Sequence, residues 1–316
     1  MNSQLSSEQI KAEALRLGFS ACGIAKAQPV EHAEALRFNS WLSQKGYADM
    51  QYMANHVEKR LNPHLLMPGV KSIVSVALNY TPAQRLPEGE PQMAAYALGH
   101  DYHEVMKTRL HQLAEVLDIT DYRAFCDTAP VLERYWAVMA GIGWIGNNHQ
   151  LYVPGVGSMC FLGELFLTIP LDEDQPLTQR GCGACRACID HCPTHALTKE
   201  GFSAERCLSY LTIEHKGDIP PEYAALMGNT FYGCDLCQKV CPHNKKAKAT
   251  KEPLLQANEQ LLSMTRSQWL SLSIDDYRRL FKGSAVKRAK YEGLMRNIRA
   301  MQKHANNQQH HHGTSE

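Results

Sequence analysis

The sequence predicts an α/β N-terminal domain, followed by a smaller cysteine-rich domain and a short helical C-terminal region. The 316 residues suit two domains of roughly 150 residues each. In the first half, apolar runs typical of strands alternate with segments of helical periodicity, a pattern typical of layered α/β folds. Eight of the eleven cysteines lie between Cys182 and Cys241. Such crowding indicates a metal-binding unit, because cytosolic thiols stay reduced and do not form a disulfide framework.

The elements of the first domain are predicted from local signals. Ser6 and Gln9 have the spacing of a capping box, and the helix that they begin should end at Gly18. Farther along, β-branched apolar runs indicate strands, and apolar residues at helical spacing indicate helices. These elements are two strands at residues 21–25 and 73–78, and two helices at residues 102–117 and 130–140.

Charge and hydropathy exclude several broad classes of protein. Lysine plus arginine number 33 and aspartate plus glutamate number 32, a formal net charge of +1, so the whole chain has no general attraction to nucleic acid or lipid. The longest apolar runs fall far short of the roughly 18 residues that a membrane helix needs. The N-terminus lacks the basic start and apolar core of a secretory signal, so we expect a cytoplasmic protein.

The glycine-rich segment at residues 141–146 superficially resembles a phosphate-binding loop. It follows a predicted helix, however, whereas a dinucleotide-binding loop follows a strand and opens a helix. We therefore interpret Gly141 as the end of a helix and the start of a tight turn.

The cysteine spacing predicts two 4Fe-4S clusters. The run from Cys182 to Pro193 reads C-x2-C-x2-C-x3-C-P, which places three thiolates on one cluster and the fourth on another. A second run, from Cys234 to Pro242, has three cysteines and lacks the first one. Because two clusters need eight thiolates, Cys207 is predicted to be the eighth ligand.

The crossed ligand pattern of such pairs divides the eight thiolates into two sets. The first cysteine set is Cys182, Cys185, Cys188 and Cys241, and the second cysteine set is Cys192, Cys207, Cys234 and Cys237. Structural zinc is the competing interpretation, although zinc sites normally use separated cysteine pairs. Three further cysteines are interpreted as small buried hydrophobes: Cys22, Cys126 and Cys160.

A polar segment, residues 171–179, marks the predicted boundary between the first domain and the cysteine-rich unit. We divide the chain into an α/β domain at 1–172, a ferredoxin-like two-cluster domain at 173–250, a basic helical segment at 251–304 and a disordered tail at 305–316. The length of the first domain argues against a simple electron carrier, because the clusters need only the second domain. Asp101 to Met106 approaches the Asp-x-His-x-x-Gly signature of histidine-ligated cobalamin, but Met106 replaces the glycine, so spacing alone does not predict cobalamin.

Five ordered motifs resemble the epoxyqueuosine reductase family: Glu58 to Arg60, Gly99 to His103, Asp127 to Glu133, Ala140 to Asn148 and Gly233 to Gln238. The similarity runs from the first helix to about Arg299, and it includes the lone Cys207. The resemblance implies an enzyme that reduces epoxyqueuosine to queuosine at the wobble position of tRNA, using cobalamin and two 4Fe-4S clusters. It also implies kinship with reductive dehalogenases, and a small-molecule reductase of that kind is the alternative function.

The resemblance further implies a base-off cobalamin between the first domain and the clusters, without a histidine on cobalt. Matching positions place these residues around the cofactor: Arg60, Ala94, Asp101, Tyr102, Asp127, Leu151, Leu162, Ser209, Cys237 and Gln238. Without the resemblance, Arg60 would be a surface ion pair, Tyr102 and Leu162 would be core residues, and Ser209 would be a helix residue near the cluster loop.

Asp127 has two interpretations. It precedes the predicted helix at residues 130–140, and aspartate is a favoured helix N-cap. The resemblance implies instead that Asp127 is the general acid, which protonates the oxygen released when the epoxide opens. We expect burial against cofactor and substrate to raise the pKa of this carboxyl.

Residues 282–303 carry seven basic residues and one acid. In a nearly neutral chain, such segregated charge favours a phosphate-binding surface, although a solvated helix face is the alternative. We predict that Lys287 and Arg288 contact tRNA. The other expected partner is a low-potential electron donor that the sequence does not identify, and we expect a monomer.

Overall fold

The computed structural model describes residues 5–178 and 181–312. Two expectations extend beyond these ranges: the secretory-signal argument begins in residues 1–4, and the predicted disordered tail ends in residues 313–316. The earlier part of that tail is helical, because the last helix continues to His312. Within the described ranges, the helices are all too short or too polar to cross a membrane.

The elements are numbered in chain order. The α-helices are α1 (Ser7–Arg16), α2 (His32–Ser43), α3 (Val57–Leu61), α4 (Tyr102–Val116), α5 (Glu133–Met139), α6 (Ala187–Asp190), α7 (Leu208–Ile213), α8 (Pro221–Ala224), α9 (Leu236–Lys239), α10 (Glu259–Leu262), α11 (Arg266–Leu270), α12 (Ile274–Leu280) and α13 (Lys290–His312). The strands are β1 (Ala21–Lys26), β2 (Ser72–Asn79), β3 (Gln92–Met93), β4 (Tyr122–Phe125), β5 (Trp144–Ile145), β6 (Leu151–Tyr152), β7 (Cys160–Leu167) and β8 (Thr230–Tyr232). Ala285–Ala289 forms a 3-10 helix before α13.

A four-stranded sheet in the order β1-β2-β7-β4 forms the centre of the first domain. All three strand pairings are antiparallel. The α/β prediction is therefore confirmed in its coarse form, with helices packed on a sheet, but the strands do not run parallel. The reason is that β7, the partner of both β2 and β4, arrives from far along the chain, after α5 and two short strands. We call this sheet with α1, α4 and α5 the sheet domain.

The two faces of the sheet build two hydrophobic cores. Successive side chains of a strand point to opposite faces, and in β2 Val74 and Val76 belong to one core while Ile73 and Ala77 belong to the other. The first core includes residues of α1 and α4, and the second includes residues of α5. Because β2 is covered on both faces, seven of its eight residues are buried, as the β-branched run predicts.

Helix α4 packs closely on β7 because Gly163 has no side chain. A Cβ at Gly163 would lie only 2.9 Å from Met106 Cγ and 3.1 Å from Leu110 Cδ1. Met106 is fully buried in this contact. The methionine that replaces the glycine of the cobalamin signature is therefore a core residue of the sheet domain.

The predicted helix boundaries are close to those observed. Helix α1 begins after a complete capping box between Ser6 and Gln9. Helix α5 begins at Glu133, three residues later than predicted, because residues 126–132 form a loop. After α5, Gly141 has a left-handed φ of 70°, in agreement with its interpretation as the turn that ends the helix.

Residues 181–244, here called the cysteine-rich unit, join the sheet domain through backbone pairing. Strand β3, which comes from the first domain, pairs in parallel with β8 of this unit. Gly233 follows β8, and a Cβ there would lie 2.5 Å from the Ala94 Cβ, so the close approach requires glycine. Helix α13 packs on β8 and α7. The predicted C-terminal segment thus lies against the cysteine-rich unit.

Candidate active site and cysteine-rich unit

Asp127 lies in the loop between β4 and α5, which we call the Asp127 loop (residues 126–132). Its backbone φ is 56°, in the left-handed region that residues other than glycine rarely adopt. The N-cap of α5 is Leu132, so the interpretation of Asp127 as a helix cap is wrong. The side chain of Asp127 is instead turned toward the first turn of α4.

Two residues at the start of α4 bond Asp127, and the helix-capping Asp101 bonds one of them. Asp101 is the N-cap of α4 and accepts a hydrogen bond from the backbone N–H of His103. Asp101 Oδ1 also lies 2.6 Å from His103 Nδ1, and His103 Nε2 lies 3.2 Å from Asp127 Oδ2. The Tyr102 hydroxyl donates a 2.5 Å hydrogen bond to the same Asp127 oxygen. The imidazole therefore bridges two carboxylates.

This arrangement decides which group carries a proton at neutral pH. Although burial lowers the pKa of His103, hydrogen bonds to Asp101 and Asp127 outweigh it and raise that pKa to about 9. The hydrogen bond from His103 lowers the pKa of Asp127, and the Tyr102 hydroxyl adds to the effect. The expectation of a raised pKa at Asp127 is therefore wrong. Near neutral pH the proton resides on His103, between two ionised carboxylates.

The predicted tRNA-binding residues lie at the rim of the same site. The Arg288 guanidinium donates to both oxygens of Glu214, at 2.9 and 2.6 Å. It also lies over the Tyr52 ring, 5.3 Å from the centroid. The positive charge of Arg288 contributes to the low pKa of Asp127, and the charge of Lys287 contributes to the low pKa of Asp101.

Some of the predicted cofactor residues converge near Asp127. Tyr102 stacks on the buried ring of Phe161, with centroids 4.2 Å apart, and the next residue of β7 is Leu162. Arg60 is buried, and its guanidinium donates to the backbone oxygens of Tyr52 and Asn55. The interpretation of Arg60 as a surface ion pair is therefore wrong.

Other predicted cofactor residues lie on the side of the cysteine-rich unit. Ser209 lies in the first turn of α7, and Cys237 and Gln238 lie in α9. The Gln238 amide is buried and donates to the backbone oxygen and the hydroxyl of Ser158. Ala94 donates its N–H to the Tyr232 carbonyl, which fixes it beside this unit. Leu151 is buried in the second core of the sheet domain.

A cavity of about 620 Å³ lies beside Gln238. Its wall includes cationic and amide side chains, among them Arg85, Lys239 and Asn244. Thr81 also lines the cavity, and its buried hydroxyl has no hydrogen-bond partner among the described residues. Because that hydroxyl is buried, it does not face the cavity. Gln238 is the predicted cofactor residue in this lining, and the other nine predicted cofactor residues lie outside it, so this cavity is not the predicted cobalamin site.

Members of each predicted cysteine set lie near one another. All four thiols of the first cysteine set line one small cavity, together with Asn147, Tyr152 and His243. For the second set, burial and the proximity of Cys207 and Cys192 raise the pKa of Cys234 to about 12. Burial and the proximity of Cys234 and Cys207 likewise raise the pKa of Cys237. Among the described residues no three His, Cys, Asp or Glu side chains meet where a single ion would bind. Soft thiolates around a cavity fit an iron–sulfur cluster.

The cysteines outside the unit match their interpretation as small hydrophobes in part. Cys126 is almost fully buried, whereas Cys22 and Cys160 are half-buried. Burial raises the pKa of Cys22 and of Cys160 to about 12. These thiols therefore stay protonated at neutral pH.

Two residues of this site were given no role in the sequence analysis. Glu133 lies in a motif that carried the family resemblance, yet it received no role of its own; its carboxylate accepts the backbone N–H of Asp127. His103 lies in the Asp-x-His segment and in one of the family motifs, but the sequence analysis gave it no role of its own. The signal that could have found His103 is its position two residues after a helix-capping aspartate, where both groups share the first turn.

The cysteine-rich unit and the bridged carboxylates together define an iron–sulfur oxidoreductase. The model of a 4Fe-4S double cluster binding domain matches residues 181–244, and that of Epoxyqueuosine reductase QueG, DUF1730 matches residues 60–128. An epoxyqueuosine reductase from Cellulophaga algicola is 45% identical over 92% of this chain and 96% of its own length. The Escherichia coli enzyme is 38% identical over 92% of this chain and 79% of its own. The chain belongs to the epoxyqueuosine reductase family.

Solved structures of epoxyqueuosine reductases also match this chain. An epoxyqueuosine reductase crystallised with an epoxyqueuosine-modified tRNA-Tyr stem loop has a TM-score of 0.83 at 29% identity, covering 94% of this chain and 80% of that one. The Bacillus subtilis enzyme, solved with its aspartate-bearing catalytic loop swung out of the active site, has a TM-score of 0.82 at 29% identity, covering 94% and 81%. The family resemblance inferred from the sequence motifs is confirmed.

Proposed function

We propose that this protein reduces epoxyqueuosine in tRNA to queuosine, the last step of queuosine biosynthesis. The observation that carries the proposal is the pair of carboxylates bridged by His103, in a chain that belongs to the epoxyqueuosine reductase family. Conversion of an epoxide to an alkene takes up two electrons and two protons and releases the oxygen as water. The site must therefore deliver protons to an oxygen, which is the task that this arrangement suits.

The chain's own residues can hold and move the first proton. His103 carries it at neutral pH and lies within hydrogen-bond reach of Asp127 Oδ2. Asp127 faces the solvent-accessible side of the site, since its side chain is 59% exposed. We infer that Asp127 is the general acid: it takes the proton from His103 and passes it to the epoxide oxygen as the C–O bond breaks, which leaves His103 neutral. Tyr102 orients Asp127 through its hydroxyl.

The expected cofactors are two 4Fe-4S clusters and base-off cobalamin. The two cysteine sets would hold the clusters. Cobalamin would lie between the sheet domain and the cysteine-rich unit, against Arg60, Ala94, Asp101, Tyr102, Asp127, Leu151, Leu162, Ser209, Cys237 and Gln238. When bound, the clusters would supply electrons to cobalamin, and cobalamin would supply the reducing equivalents for opening the epoxide.

We infer that the tRNA phosphates contact the 3-10 helix at Ala285–Ala289. Lys287 and Arg288 are exposed there, at the rim of the Asp127 site. Because Glu214 already matches the charge of Arg288, Lys287 offers the freer cation for a phosphate. We further infer a cytoplasmic monomer that receives electrons from a separate donor, with the layout 1–172, 173–250, 251–304 and 305–316.

The test is turnover by the cobalamin-loaded, chemically reduced protein on tRNA that contains epoxyqueuosine, with nucleoside analysis of the product. Wild type should form queuosine. Asp127→Asn keeps the shape of the side chain but removes the carboxylate that relays the proton from His103, so we expect turnover to fall by about 10²–10⁴-fold, with cluster and cobalamin spectra and tRNA binding retained. Near-normal turnover by this variant would refute the assignment of Asp127. Absence of queuosine formation by wild type, with cobalamin bound, would favour a small-molecule reductase.

A further inference from the structure

We propose that Glu133 is a positioning residue that holds the Asp127 loop in its working conformation by accepting the backbone N–H of Asp127. The inference rests on the proposed function, because it assigns Glu133 a role in presenting the general acid. It concerns the backbone of Asp127, whereas Tyr102 and His103 act on its side chain.

The Asp127 loop needs an external support. Asp127 has a φ of 56°, a backbone conformation that is sparsely populated for residues with a side chain. The backbone turn bonds within the loop are local: Thr128 N–H donates to the Cys126 carbonyl at 2.6 Å, and Val131 N–H donates to the Ala129 carbonyl at 2.8 Å. Such bonds bend the loop but do not fix it to the sheet domain. The bond from Asp127 N–H to Glu133 Oε1 ties it to the start of α5.

Glu133 also interacts electrostatically with a buried carboxyl of the sheet. Glu164 of β7 is fully buried, and its Oε1 accepts a 3.3 Å hydrogen bond from the Ser75 hydroxyl of β2. Burial above all, and then the proximity of Glu133, raise the pKa of Glu164. Burial and the charge of Asp127 also raise the pKa of Glu133. An uncharged carboxyl still accepts a hydrogen bond from a backbone N–H through its carbonyl oxygen, so the bond to Asp127 does not require the negative charge of Glu133.

A second conformation of this loop is documented in a relative. The Bacillus subtilis enzyme has been solved with its catalytic loop swung out of the active site. Here the loop lies inward, with Asp127 bonded to Tyr102 and His103. A single backbone hydrogen bond at the end of such a loop is well placed to favour the inward position.

A simpler role for Glu133 is to complement the dipole of α5, since it is the first residue of that helix. The two roles require different chemistry. A dipole interaction needs the negative charge, whereas the backbone bond needs only an acceptor oxygen. Glu133→Gln keeps the acceptor and removes the charge, and Glu133→Met keeps the volume and removes both.

The experiment measures kcat and KM for epoxyqueuosine-containing tRNA with cobalamin-loaded protein. We expect Glu133→Gln to stay within about threefold of wild type. Glu133→Met should lose at least about tenfold in kcat with KM within about twofold. Glu133→Ala serves as the second acceptor-free variant if Glu133→Met does not fold. Glu259→Ala is the matched control, because Glu259 is an exposed acid at the first position of α10.

Amide hydrogen exchange of the peptide covering residues 126–132 gives a readout that needs no substrate. Exchange should accelerate in Glu133→Met and stay near wild type in Glu133→Gln. Equal damage by both substitutions would assign the effect to charge and overturn the proposal, as would wild-type exchange and kcat in Glu133→Met. If wild type fails to reduce epoxyqueuosine, the proposed function fails, and the exchange result still decides whether Glu133 holds the loop.

Discussion

The sheet domain and the cluster-binding run at residues 181–193 are stabilised in different ways. In the sheet domain, Ile24 and Leu165 are fully buried. In the run 181–193, all of whose residues the structure describes, none is buried. Helix α6, which lies in this run, has only four residues. Such a short helix is not stable alone, so this run depends on the clusters that it binds, whereas Leu208 and Phe231 of the same cysteine-rich unit lie in the first core.

This difference shows how one chain can combine two sources of stability. A hydrophobic core stabilises a fold in proportion to the apolar area removed from water. Metal–ligand bonds stabilise a fold only when the guest is present, and then binding free energy becomes folding free energy. Asp127 and His103 belong to the sheet domain. Loss of the clusters should therefore leave the proton-donating side chains in place.

The largest effect that tests this difference in stabilisation is expected at Cys207. Cys207→Ser removes one of the four predicted ligands of the second cysteine set. The iron content measured anaerobically should therefore fall from roughly eight to roughly four irons per chain. Queuosine formation should be undetectable while the sheet domain keeps its circular dichroism. Cys22→Ser, a substitution outside the unit, should keep the full iron content. Eight irons and normal turnover in Cys207→Ser would exclude it as a ligand.

A smaller effect, on the free energy of unfolding and not on the iron content, is expected at Leu165. Leu165→Ala leaves a cavity in the centre of the sheet and should lower the free energy of unfolding by about 3 kcal/mol, without changing the iron content. Urea unfolding of the reconstituted protein, with iron measured before the titration, tests both statements. Leu177→Ala is the control, because Leu177 is 39% exposed and should change stability by less than about 0.5 kcal/mol. Loss of iron in Leu165→Ala would mean that the two regions are not independent.

The smallest effect concerns the polar site of the sheet domain. The pKa of His103 is raised to about 9 in the folded protein, and an unfolded histidine titrates near 6.5. The imidazolium therefore stabilises the fold fully below about pH 6.5, and this stabilisation is lost as the pH rises to about 9. Urea unfolding across this range should show a decrease for wild type that His103→Gln lacks. Parallel pH profiles for the two proteins would contradict the raised pKa.

The local elements of the fold could be predicted because their signals lie within a few residues. The capping box of Ser6 and Gln9 defines the start of α1, and the β-branched run defines β2. The cysteine sets could also be predicted, since three ligands of the first set fall within one seven-residue run, Cys182 to Cys188. A short chain segment has few ways to wrap around a compact cluster, so spacing alone carries most of the information.

The tertiary structure decided the direction of the strands and the chemistry of Asp127. Strand β7 pairs with β2 and β4 across long stretches of intervening chain, so local periodicity cannot reveal the antiparallel order. Likewise, Asp127 and His103 are 24 residues apart and meet because α4 packs on the sheet. A pKa depends on the charges within a few ångströms, and those neighbours come from separate elements. The sequence could supply the residues of the site, but only packing could place the proton on His103.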